Sequence, residues 1–360
     1  MGEIPLGGEV GRPSSEAVAV VIPTRDRWSL MRTALAGALA QEDVDVEVIV
    51  VDDGSVDATA RELQALSDPR VVVVRHARPR GVSAARNLGL ARVTATWVAF
   101  LDDDDVWSPR YLATMLDAAR SSEEDHTRVA LVYSGHLTVD AKRDVTGISA
   151  APPLADVQRR MHIFNFVGCP SRVLLRTQAA RDVGGFDVGL SILADWDIWV
   201  RILATSSCAR CPELLVAYML HADNMHHDGD GLLAELALLQ RKHGWNSDLR
   251  VPGDMLPSFV AEAYRAGGRR LRAARWYLRA FKTQRTRRDL GRAVGVLLGE
   301  HLIELSGLRE RPTIDPSVGT WLEGTRNAER STTTGLPQLD SHNSRPWRAT
   351  MRGGGDRREW

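Results

Sequence analysis

Apolar and polar positions fall into short blocks over the first half of the chain. Residues 17–22 form a continuous apolar run ended by Pro23 and Thr24, the pattern of a strand buried on both faces. Leu30, Met31, Ala34, Leu35, Ala38 and Leu39 then recur at helical spacing, with Ser29 placed to cap the helix. Residues 46–51 predict a second buried strand, and Leu63 and Leu66 mark one face of a second helix. Residues 70–74, 83–91 and 97–101 predict strand, helix and strand again. This alternation predicts a parallel sheet with helices on both faces. Further on, Tyr111, Leu112, Met115 and Leu116 share a helical face, while residues 129–133 and 170–176 read as strands. Residues 140–158, with Pro152 and Pro153, show no clean period and read as a variable loop. From Leu232 the composition shifts to Ala, Leu and Arg, and residues 232–239, 259–266, 271–281 and 290–305 read as helices.

The strand at 97–101 runs straight into Asp102, Asp103, Asp104 and Asp105. Adjacent carboxylates repel one another, a cost that water or a cation must relieve. Mg²⁺ and Mn²⁺ take oxygen ligands, commonly one or two carboxylates plus substrate phosphates. A solvated acidic loop is the plain alternative. Placement at the carboxyl end of a buried strand, where open α/β sheets bind ligands, points instead to a metal site. Asp52 and Asp53 end the second strand in the same way. They either form a turn with Gly54 or accept hydrogen bonds from a base or ribose. The helix starting near Gly81 aims its N-terminus at the same crevice, which favours phosphate. Arg86 on that helix either reaches a ligand or pairs with an acid. A dinucleotide-binding fold shares the alternation, but its first turn needs glycines, and residues 23–27 read Pro-Thr-Arg-Asp-Arg. That fold is excluded. Asp195 and Asp197 open an amphipathic helix with Ile198, Trp199, Ile202 and Leu203 on its apolar face, where acids also serve as caps.

Residues 100–107, Phe-Leu-Asp-Asp-Asp-Asp-Val-Trp, resemble the DXD segment of the family 2 glycosyltransferases, with Asp102, Asp103 and Asp104 as D-X-D. Residues 20–27, 50–55 and 194–199 agree with the same family in order and spacing, and Gly184, Gly185, Phe186 and Asp187 match its G-G-F-D segment. The likeness covers roughly residues 17–225. It implies a GT-A fold: a mixed, mostly parallel sheet with helices on both faces, followed by a small helical C-terminal region. It also implies inverting, metal-dependent transfer from a nucleoside-diphosphate sugar to a hydroxyl acceptor, glycan or lipid-linked, in cell-surface glycan or glycoconjugate synthesis. Carried over residue by residue, Pro23, Thr24, Arg25, Asp52, Arg86 and Asp103 fall on the nucleotide. Asp102, Asp104 and His221 fall on Mn²⁺ or Mg²⁺, and Asp195 is the base that deprotonates the acceptor. Two departures stand out: Ala194 where the family usually has Glu, and Met219 where Tyr-Arg-x-His is common. Ala194 favours the rival reading, a sugar-nucleotide-binding or scaffolding protein without turnover. A nucleotidyltransferase, releasing pyrophosphate, could use the same sheet and metal.

The formal net charge is zero, so bulk charge selects no partner. Residues 1–15 lack the basic-then-apolar order of a signal peptide, and no uncharged apolar run reaches about 18 residues, so any membrane contact is expected to be peripheral. The odd cysteine count fits a reducing cytoplasm. Three cysteines make no disulfide framework, and Cys208 and Cys211 read as buried thiols rather than a zinc pair. His226, His227 and Asp228 read as an exposed loop or a separate metal patch. The expected layout is a disordered N-terminus (1–16), a GT-A domain (17–230), a helical region (231–308) and a disordered tail (309–360). Residues 265–292 are dense in Arg, with Trp276, Tyr277 and Phe281 between them. They are either a solvated bundle face or a peripheral contact with the inner face of a membrane. No nucleic-acid motif accompanies the charge, so no nucleic-acid partner is expected.

Overall fold

In chain order the elements are β1 (Val18–Thr24), α1 (Trp28–Leu39), β2 (Val46–Asp52), α2 (Thr59–Gln64), β3 (Val71–Arg75), α3 (Val82–Leu90) and β4 (Trp97–Phe100). There follow β5 (Val106–Trp107), α4 (Tyr111–Glu123), β6 (Val129–Val139), β7 (Val145–Ser149), α5 (Leu154–Arg160), a 3₁₀ turn (Pro170–Arg172), β8 (Val173–Arg176), α6 (Thr177–Asp182), α7 (Ala194–Leu203) and β9 (Ser207–Met219). The C-terminal helices are α8 (Gly229–His243), α9 (Leu256–Ala266), α10 (Arg270–Gln284) and α11 (Arg287–Leu298). The computed structural model describes residues 16–123, 129–221, 228–245, 256–284, 287–298 and 321–322. The expected N-terminal segment apart from Glu16, the tail apart from Trp321 and Leu322, and His226 and His227 lie outside the described residues.

The strands make one sheet in the order β3-β2-β1-β4-β8-β6-β9-β5, with β7 added to β6. β3, β2, β1 and β4 are mutually parallel, as the strand–helix alternation predicts. β8 runs antiparallel to both β4 and β6, and β6 pairs in parallel with β9. The sheet is therefore mixed. Period-2 alternation divides its side chains between two cores: on β1, Ala19 and Val21 face one, while Val18, Val20 and Ile22 face the other. α1 and α4 cover the second core; α3, α6 and α7 cover the first. α3 lies directly on β1 because Gly89 leaves room, since a Cβ there would stand 2.3 Å from Val21.

Several local expectations change. Pro23 and Thr24 belong to β1 rather than ending it, because past Val21 the strand has β2 but no longer β4 beside it. A proline N–H is not missed at such an edge. Ser29 does not cap α1; the amide of Trp28 instead donates to Thr59 Oγ1 at 3.1 Å. Residues 140–158 contain β7 and the start of α5 rather than loop alone. β9 holds Cys208 and Cys211 as buried free thiols, as their spacing suggested. Leu322 is buried against a cluster containing Val106, Leu137 and Met219.

The C-terminal helices share the first core with the sheet: Leu232, Leu236, Val260, Tyr264 and Tyr277 belong to the same apolar cluster as Val21 and Trp199. Polar contacts fix α8 against α7. Asp197, fully buried, pairs with Arg201 at 2.6 Å, Lys242 at 2.9 Å and His243 at 2.9 Å. Burial alone would disfavour its charge, but the hydrogen bonds from Lys242 and Arg201 outweigh burial and hold its pKa below the usual carboxylate value. That stabilisation is present above the unfolded-state pKa and is lost as the pH falls through the depressed folded-state value. Glu235 of α8 accepts the backbone N–H groups of Ser191, Ile192 and Leu193 at 2.8, 2.8 and 2.9 Å, at the entry to α7.

Asp197→Asn removes the charge and leaves its cations clustered. It should lower stability by about 3 kcal/mol in urea unfolding at neutral pH. The deficit should shrink in acid, where the wild-type carboxylate is itself protonated.

Candidate active site

β1, β2 and β4 end at the same edge of the sheet, with Thr24 opposite Asp52 and Phe100 leading into the acidic run. Burial forces each acid of that run to find a partner. Asp102 Oδ1 accepts from Arg86 Nη2 at 2.6 Å, and its own N–H donates to Ser171 Oγ at 3.1 Å. Asp103 accepts from Thr24 Oγ1 at 2.7 Å and from Arg27 Nη1 at 3.3 Å. Asp104 Oδ2 lies 3.2 Å from Arg27 Nη1 and 2.7 Å from His221 Nε2. Asp105 is fully buried and accepts the N–H of Met219 at 3.1 Å, which anchors the run to the end of β9. Burial, reinforced by repulsion from Asp104, pushes Asp103 up to about 7 and Asp105 well above the normal range.

The other predicted residues take distinct places. Pro23 is buried in β1. Asp52 accepts the N–H of Ser55 at 2.7 Å and pairs with Arg75 at 2.8 Å. Asp53 binds His76 Nδ1 at 2.7 Å and the N–H groups of Arg80 and Gly81, fixing the loop that leads into α3. Arg25 is exposed and pairs with Asp26 at 3.4 Å, and Arg27 is the arginine of that segment which enters the acidic run. Arg86 is 4% exposed and pairs with an acid, Asp102, though as a buried rather than a surface arginine; its guanidinium lies over the Phe186 ring, 5.3 Å from the centroid. Asn87 clamps the same segment, bonding both the N–H and C=O of Phe186 at 2.8 Å.

Asp195 stands in the first turn of α7. Its carboxylate accepts the N–H of Trp196 at 2.6 Å and Asn165 Nδ2 at 3.2 Å, and Asn165 in turn accepts the N–H of Gly168 at 3.0 Å. Burial raises its pKa to about 7, against the pull of the Trp196 N–H and the charge of Arg86. Arg86 thus bonds the acidic run and acts electrostatically on Asp195. Asp197 does not join this group, since it holds α7 to α8. Asp228 caps α8 by accepting the N–H of Gly231 at 3.0 Å.

Sequence reasoning missed Arg27, Asn165 and Glu235. Arg27 sits inside the Pro-Thr-Arg-Asp-Arg segment, where nothing local distinguishes it from Arg25. Asn165 and Glu235 lie in stretches without a motif, and only the fold brings them to α7.

Asp104 and His221 supply an oxygen and a nitrogen at one point, while Asp102 is turned to Arg86. Among the described residues no cluster of three His, Cys, Asp or Glu converges on a metal position. The Asp104 carboxylate suits Mn²⁺ or Mg²⁺ when substrate phosphates complete the coordination, while the His221 imidazole fits the transition metal Mn²⁺ better than Mg²⁺. A cleft of about 630 Å³ bordered by Gln158, Arg176, Asp182 and Ser206 contains none of these acids.

Residues 19–184 match the model of a family described as glycosyl transferase family 2. The succinoglycan biosynthesis protein ExoO of Rhizobium meliloti (strain 1021) is 46% identical over 102 residues, 28% of this chain and 29% of its own length. The UDP-Glc:alpha-D-GlcNAc-diphosphoundecaprenol beta-1,3-glucosyltransferase WfaP of Escherichia coli is 24% identical over 211 residues, 58% of this chain and 80% of its own. Among solved structures, the mannosyltransferase PcManGT of Pyrobaculum calidifontis, in complex with GDP-Man and Mn²⁺, is similar at 19% identity and a TM-score of 0.49, covering 88% of each chain.

Carbon-13 NMR of protein labelled at Asp should show carboxyls titrating near pH 7, one of which Asp195→Asn removes. Asn165→Ala deletes a donor to the ionised form. It should move that same titration to higher pH and leave the Asp103 titration in place.

Proposed function

We propose that the chain transfers a sugar from a nucleoside-diphosphate donor to a hydroxyl acceptor with inversion, a reading supported by the match of residues 19–184 to glycosyl transferase family 2. The observation that carries this reading is geometric: acids gather where β1, β2 and β4 end, with Arg86 bonding Asp102 at 2.6 Å, and a further carboxylate, Asp195, is held by Asn165 at the start of α7.

On the donor side, Thr24, Asp52 and Asp103 surround the end of β1 and receive the nucleoside, with Pro23 forming the wall. Arg27 and Arg86 are cations within reach of a diphosphate. Arg25, exposed, is left to the rim. Asp104 and His221 hold Mn²⁺ or Mg²⁺, with Asp102 beside them steadied by Arg86. When bound, the divalent ion offsets negative charge on the departing diphosphate, so no protein group need protonate it.

On the acceptor side, Asp195 takes the hydroxyl proton as the oxygen attacks the anomeric carbon. A carboxylate with a pKa near 7 is a far better base than one near 4, and at neutral pH a large fraction is still ionised. Asn165 and the Trp196 N–H fix its orientation. Ala194 is the observation favouring a non-catalytic sugar-nucleotide-binding protein. Yet Ala194 is fully buried, and Glu235 supplies a carboxylate to the backbone just before it. The base is held although the usual Glu is gone. The relatives' roles suggest a glycan or lipid-linked acceptor in cell-surface glycan synthesis, reached from the cytoplasmic side. Among the described residues no helix is long and apolar enough to cross a membrane.

Incubation with a panel of sugar nucleotides should release one nucleoside diphosphate, and release of pyrophosphate would indicate a nucleotidyltransferase instead. Asp195→Asn should keep donor affinity and lose about 10²- to 10⁴-fold in kcat. In the wild type, kcat should rise with pH as Asp195 ionises and level off above about 7. A flat wild-type profile, or turnover surviving in Asp195→Asn, would place the base elsewhere. Asp104→Ala should abolish the Mn²⁺-dependent part of nucleoside-diphosphate binding measured by calorimetry. Unchanged metal-dependent affinity would remove Asp104 from the metal site.

A further inference from the structure

α10 turns toward solvent a stripe in which apolar and cationic side chains alternate. Leu271, Arg275, Leu278 and Lys282 are spaced so that they share one side of the helix. All four are exposed, Leu271 to 79% and Leu278 to 42%. The opposite side, Ala273, Ala274, Tyr277 and Ala280, is buried in the bundle. α11, packed against α10, repeats the arrangement: Leu290, Val294 and Leu297 are exposed in helical register, while Ala293 and Val296 turn inward. Single exposed leucines are ordinary, but apolar stripes in register on two neighbouring helices are not.

Charge fixes the sign of the partner. α10 contains no Asp or Glu, and Arg269 and Arg270 add exposed cations at its start. The nearby acids are each paired: exposed Asp230 with Arg272 and Tyr264, part-exposed Glu262 with Arg265 and Tyr277, and Asp289 with Ser258. Leucines interleaved with long cationic stems match a surface whose headgroups are anionic and whose interior is hydrocarbon. An acidic protein or nucleic acid would use the cations but gives no role to the leucines.

The bundle also reaches the acceptor side. Phe259 of α9 packs edge-on to Phe164, with ring centroids 6.0 Å apart, and Phe164 precedes the Asn165 that bonds Asp195. We propose that the exposed face of α10 and α11 docks on an anionic bilayer, and that the acceptor delivered to Asp195 is lipid-linked. The second half rests on the sugar-transfer reading; the first does not.

The test is co-sedimentation of the full chain, without donor, with phosphatidylglycerol or phosphatidylcholine vesicles at low and high salt. Binding should be specific to phosphatidylglycerol and fall steeply as salt rises. Arg275→Gln with Lys282→Gln should weaken it roughly 25-fold, about fivefold per cation. Leu271→Gln with Leu278→Gln, at unchanged charge, should weaken it at both salt concentrations. Circular dichroism checks that these exposed substitutions leave the fold intact. No binding to phosphatidylglycerol at low salt, or equal binding to both lipids, overturns the docking proposal. Sensitivity to the cation pair but not the leucine pair overturns it in favour of an acidic macromolecule. Self-association abolished by the leucine pair overturns it in favour of a second copy of the chain. Vesicle binding without transfer to a lipid-linked hydroxyl, in protein active on a soluble acceptor, overturns only the substrate half.

Discussion

Four consecutive carboxylates at the end of a buried strand repel one another, and much of the site can be read as the response to that repulsion. Each acid has its own answer, drawn from a different part of the chain: Arg86 of α3 for Asp102, Thr24 at the end of β1 for Asp103, Arg27 and His221 for Asp104, and a backbone N–H at the end of β9 for Asp105. The run is thus a hub to which a helix, a central strand and the last strand of the sheet are all attached. The same partners place cations beside the cleft where a diphosphate would lie. On the proposed reading, the side chains that neutralise the acids are also those that would meet the diphosphate.

The first half of this arrangement was legible in the sequence because local chemistry dictates it. Buried parallel strands give continuous apolar runs, and acids at their ends show up as abrupt changes of character. What could not be read was which arginine points inward. Arg25 and Arg27 sit two apart in one segment; nothing local separates them, and the left-handed turn at Asp26 (φ 54°) comes between them. The second half was less legible. β7 and α5 lie in a stretch whose pattern follows neither period, because β7 is an edge strand with alternate residues half-exposed. Asn165 and Glu235 act through long-range contacts that no spacing rule reports.

Ala194 is instructive in this respect. Seen alone, the loss of a family carboxylate beside Asp195 weakens the case for catalysis. In the fold, the Ala194 side chain is fully buried, and Glu235 of α8 binds the amides of Ser191, Ile192 and Leu193 leading into the same helix.

The stretch most readily matched to other proteins closes at residue 184, before α7 begins. Physically there is no seam at that point. Asp197 and Glu235 join α7 to α8, and the aromatic contact between Phe164 and Phe259 carries the join on to α9. The segment that the family model matches and the body that folds as a unit therefore have different limits. A piece cut at residue 184 would hold the acids of residues 102–105 without the helix that bears Asp195, and would expose a broad apolar face. In this chain, helices beyond the stretch that the family model matches pack against the helix that bears Asp195.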